Sequence, residues 1–119
     1  MSLRDDILGI KDCAEKIIDV PEWGGMKILV KAFSAGQKNA IWDACTTITD
    51  GEAKVNSNKM MILNVIESAH DPKTGKKIFK AGDYEAVAAK SAPAIERIAQ
   101  AARELSGSGD KALEDAEKN

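Results

Sequence analysis

The chain has 119 residues, of which 44 % are hydrophobic and only 4 % aromatic, a composition that suits one globular domain with few aromatic side chains. Seventeen basic and nineteen acidic residues give a formal net charge of −2, so the electrostatic attraction that drives nucleic-acid binding is missing. The longest apolar runs contain four residues, so we expect neither a transmembrane helix nor a signal peptide.

The first predicted elements are a short helical turn over Arg4–Leu8 and a β-hairpin over about residues 17–33. Pro21 pushes the residue before it into extended geometry, and Gly24-Gly25 supplies the positive φ values of a tight two-residue turn. Residues 26–31 are rich in apolar and β-branched side chains, which is typical of a strand. Because Pro21 cannot donate a hydrogen bond to a ladder, its strand is expected at a sheet edge.

A two-residue glycine loop places Trp23 opposite Met26 and Glu22 opposite Lys27, with opposite charges on the second pair. A two-stranded hairpin is marginal in water, so its apolar face must pack on helices or on another protein. Trp23 at the tip either docks on helices of its own domain or contacts another subunit or client, because tryptophan is enriched at binding hot spots. Pro21, Trp23 and Met26 are therefore the candidate residues for self-association or partner binding.

Two longer helices are predicted next. Ser34 and Gln37 match a capping box, and the helix that they begin is expected to end at Asp50-Gly51. Its apolar residues recur at helical spacing as far as Ile48. A second helix over about residues 57–69 is apolar on all sides, as expected of the central helix of a domain.

The chain then turns at Asp71–Gly75, forms a short helix from Ala81, and enters a helix that Ser91 caps and that carries an apolar stripe towards Gly107. The predicted fold is mainly α (α+β), with about four to five helices and one N-terminal hairpin in a domain over residues 4–107. We expect the core to contain the following residues: Ile41, Ile48, Ile62, Val65, Ile66, Ile95, Ile98 and Ala102.

Residues 108–119 begin inside a linker-like Ser-Gly-Ser-Gly segment and hold Leu113 as their only large apolar residue. They are predicted to form a flexible or marginally helical tail, because one apolar side chain cannot anchor them strongly. Leu113 is a fourth candidate contact for a partner.

The two cysteines, Cys13 and Cys45, stand far apart, and neither belongs to a Cys-x-x-Cys pair. One disulfide between them is the alternative, but the absence of a secretion signal favours two reduced thiols and a cytoplasmic location. We expect both to be small buried hydrophobic residues instead of nucleophiles, because a nucleophile needs a neighbouring base.

No set of catalytic residues can be assembled from the sequence. His70 is the only histidine, and we expect its ring to complement the end of the central helix instead of acting as an acid, a base or a metal ligand. The acids at Asp5-Asp6 and around Asp83 lack metal-ligand spacing, and no phosphate-binding glycine loop occurs. The lysines between residues 73 and 80 form a small basic cluster in which only Phe79 could stack on a base. The sequence therefore predicts no catalytic, cofactor or metal site, no nucleic-acid or membrane partner, and no enzymatic activity.

Several segments together form a pattern that extends over nearly the whole chain from Arg4. They are Val20-Pro21-Glu22-Trp23-Gly24-Gly25, the lysine- and valine-rich strand and capped helix after it, Asp71–Phe79, Asp83, Lys90-Ser91 and Glu117-Lys118-Asn119. In these segments the chain resembles the tail assembly chaperones of long-tailed bacteriophages. It departs from their pattern at Lys80, where a helix-capping serine or aspartate is expected.

The resemblance implies a non-enzymatic, cofactor-free assembly factor of a phage or prophage. Such proteins bind and solubilise the long, helical tape measure protein, form homo-oligomers around it, and promote tail tube assembly by helping to recruit the major tail protein. They act in the cytoplasm of the bacterial host, are absent from the mature virion, and are often also made in a longer form by frameshifting near the C-terminus.

Alternatives from other classes remain. The first is a small regulatory or protein-interaction domain of a prophage without chaperone activity, or a DNA-binding domain, which would need a markedly basic helix. The second is an enzyme, which would need convergent polar residues that one histidine does not provide.

Overall fold

The structure is a computed structural model and describes residues 2–107. Its helices and strands are α1 (Leu3–Gly9), β1 (Glu15–Val20), β2 (Met26–Lys31), α2 (Ala35–Cys45), β3 (Thr46–Thr49), β4 (Glu52–Val55), α3 (Ser57–Ser68), β5 (Ala69–His70), α4 (Tyr84–Ala88) and α5 (Ala92–Leu105). An antiparallel sheet has the strand order β1-β2-β5, and β3 and β4 form a separate hairpin. The predicted mainly α (α+β) fold with an N-terminal hairpin is thus confirmed. Within the described residues, no helix has the length and apolar character needed to span a membrane.

The N-terminal hairpin is present, but its predicted register is wrong. Val20, and not Trp23, lies opposite Met26, so the loop consists of the five residues Pro21–Gly25. The first three of these form a 3₁₀ turn, and the two glycines after it have φ values of 69° and 77°. The proline explains the difference, because it lacks the N–H that a ladder requires while its fixed φ suits the first position of a helical turn.

A second hairpin replaces the end of the predicted second helix. The capping box is confirmed, since the Ser34 hydroxyl accepts from the Gln37 amide at 3.2 Å and the Gln37 side chain accepts from the Ser34 amide at 3.0 Å. However, α2 ends at Cys45. Asp50 and Gly51, with φ values of 54° and 80°, form the two-residue turn between β3 and β4. Asp-Gly suits this turn because both of its central residues need positive φ.

The second hairpin also removes Ile48 from the core. Its side chain is 77 % exposed, so the predicted core position is wrong. Residues 46–49 are all β-branched and are followed by a hairpin turn, and this local preference for extended backbone outweighs the helical spacing. Ile41 and Cys45, on the same predicted stripe, are buried on α2.

The core lies between the inner face of the three-stranded sheet and the helices α3 and α5. Val20, Ile28 and Val30 supply the sheet side, and small residues such as Ala94 and Ala99 lie on the buried face of α5. The predicted core residues on α3 and α5 are all buried, which confirms them: Ile62, Val65, Ile66, Ile95, Ile98 and Ala102.

The segment between α3 and α5 also follows the prediction. Gly75, with a φ of 72°, closes the turn by donating its amide to the Asp71 carbonyl at 2.7 Å. Before α4, the Asp83 carboxylate accepts from the Lys80 amide at 2.8 Å. Asp83 thus supplies the second half of a capping box, whereas the lysine side chain has no acceptor with which to supply the first half. The predicted tail, residues 108–119, lies outside the described residues.

Candidate interaction surface

The hairpin tip carries three of the four residues predicted to contact a partner. Pro21 is exposed, and Met26 is 64 % exposed at the start of β2. Trp23 is half-buried and packs against the core. Of the two alternatives predicted for it, this matches docking on its own domain. Leu113 lies outside the described residues. The tip therefore presents a proline and a methionine beside a tryptophan whose ring is partly covered by its own domain.

A bidentate ion pair holds this tip against α5. The Arg97 guanidinium donates from Nε and Nη2 to the two Glu22 carboxylate oxygens at 3.0 and 3.1 Å. These hydrogen bonds hold the pKa of the Glu22 carboxyl below its ordinary 4.5, and they raise the pKa of Arg97. The predicted pairing of Glu22 with Lys27 is wrong, because the register places Lys27 beside Asp19, with a 2.8 Å contact between them.

The outer edge of the sheet is the second feature of this surface. β1 has β2 on one side and no strand on the other among the described residues. The Ala32 amide donates to the Ala14 carbonyl at 2.8 Å, so the ladder of hydrogen bonds between the strands continues to Ala14. This bond shows which residues direct their backbone groups towards β2: Ala14, just before β1, and every second residue after it. Since alternate residues of an antiparallel strand direct their N–H and C=O groups to opposite sides, those of Glu15, Ile17 and Asp19 point away from β2.

An open groove of about 500 Å³ lies beside this edge. Ile18 and Asp19 line it from β1. The α5 residues that line it recur at helical spacing and form one stripe: Pro93, Glu96, Arg97, Gln100, Ala101 and Glu104. Ile18 is half-buried towards the inner face of the sheet whereas Asp19 lies on the opposite face, so the groove passes over the edge of β1 itself.

Sequence reasoning missed two further apolar surfaces. α1 contains no buried residue, and the large apolar side chains in and just after it are more than half exposed: Leu3, Ile7, Leu8 and Ile10. The spacing of three of them at i, i+4 and i+7 was the available signal. The second surface is one face of the β3–β4 hairpin, where Ile48 and Val55 are exposed, with Trp42 about half exposed on α2.

The groups considered for catalysis are not brought together. The His70 ring lies at the end of α3, with Nδ1 2.7 Å from the Ser68 carbonyl oxygen, so this nitrogen carries the proton and donates it. Cys45 is buried, and burial raises the pKa of its thiol; Cys13 is exposed, so the expectation that both are buried is wrong for Cys13. Between residues 2 and 107, no three histidine, cysteine or carboxylate side chains cluster as a metal site would require.

These features define a small α+β domain with exposed apolar side chains on several of its elements. The fold is similar to that in the structure of the bacteriophage HK97 tail assembly chaperone, with a TM-score of 0.59 and 20 % identity, over 87 % of this chain and 98 % of that chain. No curated protein sequence matches the chain. The family model for phage tail assembly chaperones matches residues 9–119. The chain belongs to the phage tail assembly chaperone family. Membership implies a non-enzymatic role and phage tail proteins as partners.

Proposed function

We propose that this protein binds and solubilises the tape measure protein of its phage and promotes tail tube assembly, with the major tail protein as a second partner. The observation that carries the proposal is the open apolar surface. Ten large hydrophobic side chains of the described residues are exposed, and nine of them lie on or beside α1, the N-terminal hairpin, α2 and the β3–β4 hairpin. Exposed apolar side chains that stand next to each other, as on α1 and on one face of the β3–β4 hairpin, are typical of protein-binding surfaces.

The arrangement of these side chains suits a long helical client. Leu3 and Ile7 lie one helical turn apart on α1, and Ile10 follows directly after the helix. An apolar surface of this kind can pack against a second amphipathic helix. The β3–β4 hairpin offers a separate, smaller patch around Ile48. Several modest contacts with an extended client give a high total affinity when copies of the protein stand side by side along it.

Self-association is the second part of the proposal. The hairpin tip, with Pro21, Trp23 and Met26, is the surface that we assign to contacts between copies, and Leu113 in the tail adds an apolar anchor for the client. Light scattering over a wide concentration range should show a mass that rises with concentration. Met26→Ser should reduce this rise without loss of stability, because Met26 is exposed. A protein that stays monomeric at high concentration would reject this part of the proposal.

Co-expression tests the chaperone activity. The tape measure protein encoded near this chain should remain soluble and co-purify when the intact protein is present. Ile7→Ser in α1 and removal of residues 108–119 should each reduce the soluble fraction. Trp23→Ala is a weaker test, because this side chain also packs on the core and its loss destabilises the domain. Lys73→Ser, in the exposed turn after β5, is the matched control and should leave solubilisation unchanged.

The outcome also separates the proposal from its alternative. If the tape measure protein is equally soluble without this chain and no binding is seen, a prophage regulatory or interaction domain without chaperone activity takes its place. A chaperone that acts in the host cytoplasm and leaves before maturation should be found in lysates of infected cells. It should be missing from purified virions when both are analysed by mass spectrometry.

A further inference from the structure

The edge of β1 and the groove along α5 adjoin each other. We propose that together they form one binding surface for an extended peptide segment of a partner protein, which carries a basic residue and adds to the sheet as a strand beside β1. This inference concerns a different surface from the apolar patches assigned to the tape measure protein, and it does not depend on that client.

The backbone of β1 provides the template. The strand is six residues long, and its pairing with β2 continues without a bulge from Glu15 to Val20. The N–H and C=O groups of Glu15, Ile17 and Asp19 face away from β2, and no other element of residues 2–107 pairs with them. A row of unpaired backbone groups on an edge strand is the feature that extended peptides use when they augment a sheet.

The groove provides space and a second wall. From Pro93 to Glu104 its α5 wall extends for about 16 Å at the helical rise, which is the length of about five residues of extended chain. Ile18, Pro93 and Ala101 contribute apolar contacts to a lining that is otherwise polar or charged, so it can accept a segment whose apolar and basic side chains alternate. Because the groove passes over the edge of β1, a segment seated in it lies within reach of the outward backbone groups.

The charges select a basic segment. Arg97 is held by Glu22, and Asp19 is held by Lys27, so these groove residues are already compensated. Glu96 has no ionic partner within the described part of the chain. The Glu104 carboxylate accepts only from the neutral amide of Gln100, at 3.1 Å. Two carboxylates along one wall are therefore available to pair with a lysine or arginine of the bound segment.

Charge also argues against this chain as the occupant. In the register centred on Ile17, antiparallel pairing of two β1 strands would place Glu15 of each copy opposite Asp19 of the other, an unfavourable contact that the ion pair of Asp19 with Lys27 offsets only in part. Residues 108–119 contain two lysines and four acids, so they too would bring negative charge to the groove. The occupant is a segment of another protein.

A synthetic heptapeptide of alternating valine and lysine, acetylated and amidated at its ends, is the probe. At saturation it should slow amide hydrogen exchange at Ile17 and Asp19 by at least roughly tenfold. The matched peptide with glutamate in place of lysine should bind about fivefold more weakly. The lysine peptide with alternate backbone nitrogens methylated should give no protection, because it lacks the donors that a ladder needs.

Three variants complete the test. Ile17→Pro removes an outward N–H without removing a bond to β2, and proline is tolerated at such edge positions, so peptide binding should be lost while β1–β2 protection remains. Glu96→Lys leaves one lysine and one carboxylate along the wall and should abolish the preference between the two peptides. Glu85→Lys, exposed on α4, makes the same charge change outside the groove and should leave binding unchanged. Two results with the wild-type protein would overturn the proposal: the lysine peptide does not slow amide exchange at Ile17 and Asp19, or both peptides bind equally well. Protection of this edge that rises with protein concentration alone would assign the surface to a second copy instead.

Discussion

Truncation of Ile98 is the most direct test of the core. Its side chain on α5 is fully buried against α3 and the sheet. Ile98→Ala removes three carbon atoms, which costs about 2.4 kcal/mol in burial at about 0.8 kcal/mol per buried carbon, and the cavity left behind adds to this. We therefore expect a loss of about 2–5 kcal/mol in the free energy of unfolding.

Ile48→Ala is the matched control, because it makes the same chemical change at a side chain that is 77 % exposed. Its cost should stay within about 0.5 kcal/mol. Urea denaturation, followed by circular dichroism and by tryptophan fluorescence, gives the free energy of unfolding of both variants. If the two signals change at the same urea concentration, unfolding is two-state and a single free energy describes each variant. Equal losses at the two positions, or a loss below about 0.5 kcal/mol at Ile98, would refute this description of the core.

Three further predictions concern charge, thiols and turns. The ion pair lowers the pKa of Glu22 in the folded state, so the carboxylate stabilises the fold at pH values above its ordinary pKa of 4.5 and loses this contribution as the pH falls through the folded pKa. The difference in unfolding free energy between wild type and Glu22→Gln, measured by denaturation at several pH values, should therefore shrink as the pH falls from 4.5 through the folded pKa. A maleimide should label Cys13 in the native protein and Cys45 only after denaturant is added, and equal native labelling would contradict the burial of Cys45. Gly51→Ala places a side chain at a φ of 80°, so hydrogen exchange in the β3–β4 hairpin should become faster. Gly36→Ala in α2, where φ is ordinary, should instead stabilise the protein by about 0.4–1 kcal/mol. A loss of stability at both positions would show that backbone strain at Gly51 is not the cause.

Features set by neighbouring residues were predictable from the sequence. The Ser34–Gln37 capping box and the Ser91 cap follow from side chains that bond a backbone group three residues away, and both are present. Asp50-Gly51 shows the limit of such reasoning, because the same dipeptide ends a helix in one context and turns a hairpin in another. The four β-branched residues before Asp50-Gly51 favour an extended backbone, and this preference outweighs the helical spacing that places Ile48 on the stripe of α2.

The interaction surface was harder to predict, because it depends on contacts between distant parts of the chain. Pro21 and Trp23 were predicted to lie in a strand that ends at a Gly24-Gly25 turn, whereas both lie within the loop. Whether this loop is free or packed against its own domain depends on α5, which is distant in sequence. Glu22 and Arg97 are 75 residues apart, and no local pattern links them. Similarly, Ala69-His70 becomes a strand only because the far edge of β2 is available to pair with it.

The position of α5 in the chain has a consequence for biosynthesis. Of the described elements α5 is the last to be translated, yet it supplies Ala94, Ile95, Ile98, Ala99 and Ala102 to the core. The first hairpin joins neighbouring residues and can form early. The part of its inner face that α5 covers stays open until residues 75 positions after the hairpin tip have left the ribosome. During that interval the nascent chain presents an uncovered sheet face to its surroundings. The rate at which α5 docks therefore governs how long the newly made protein is itself prone to aggregate.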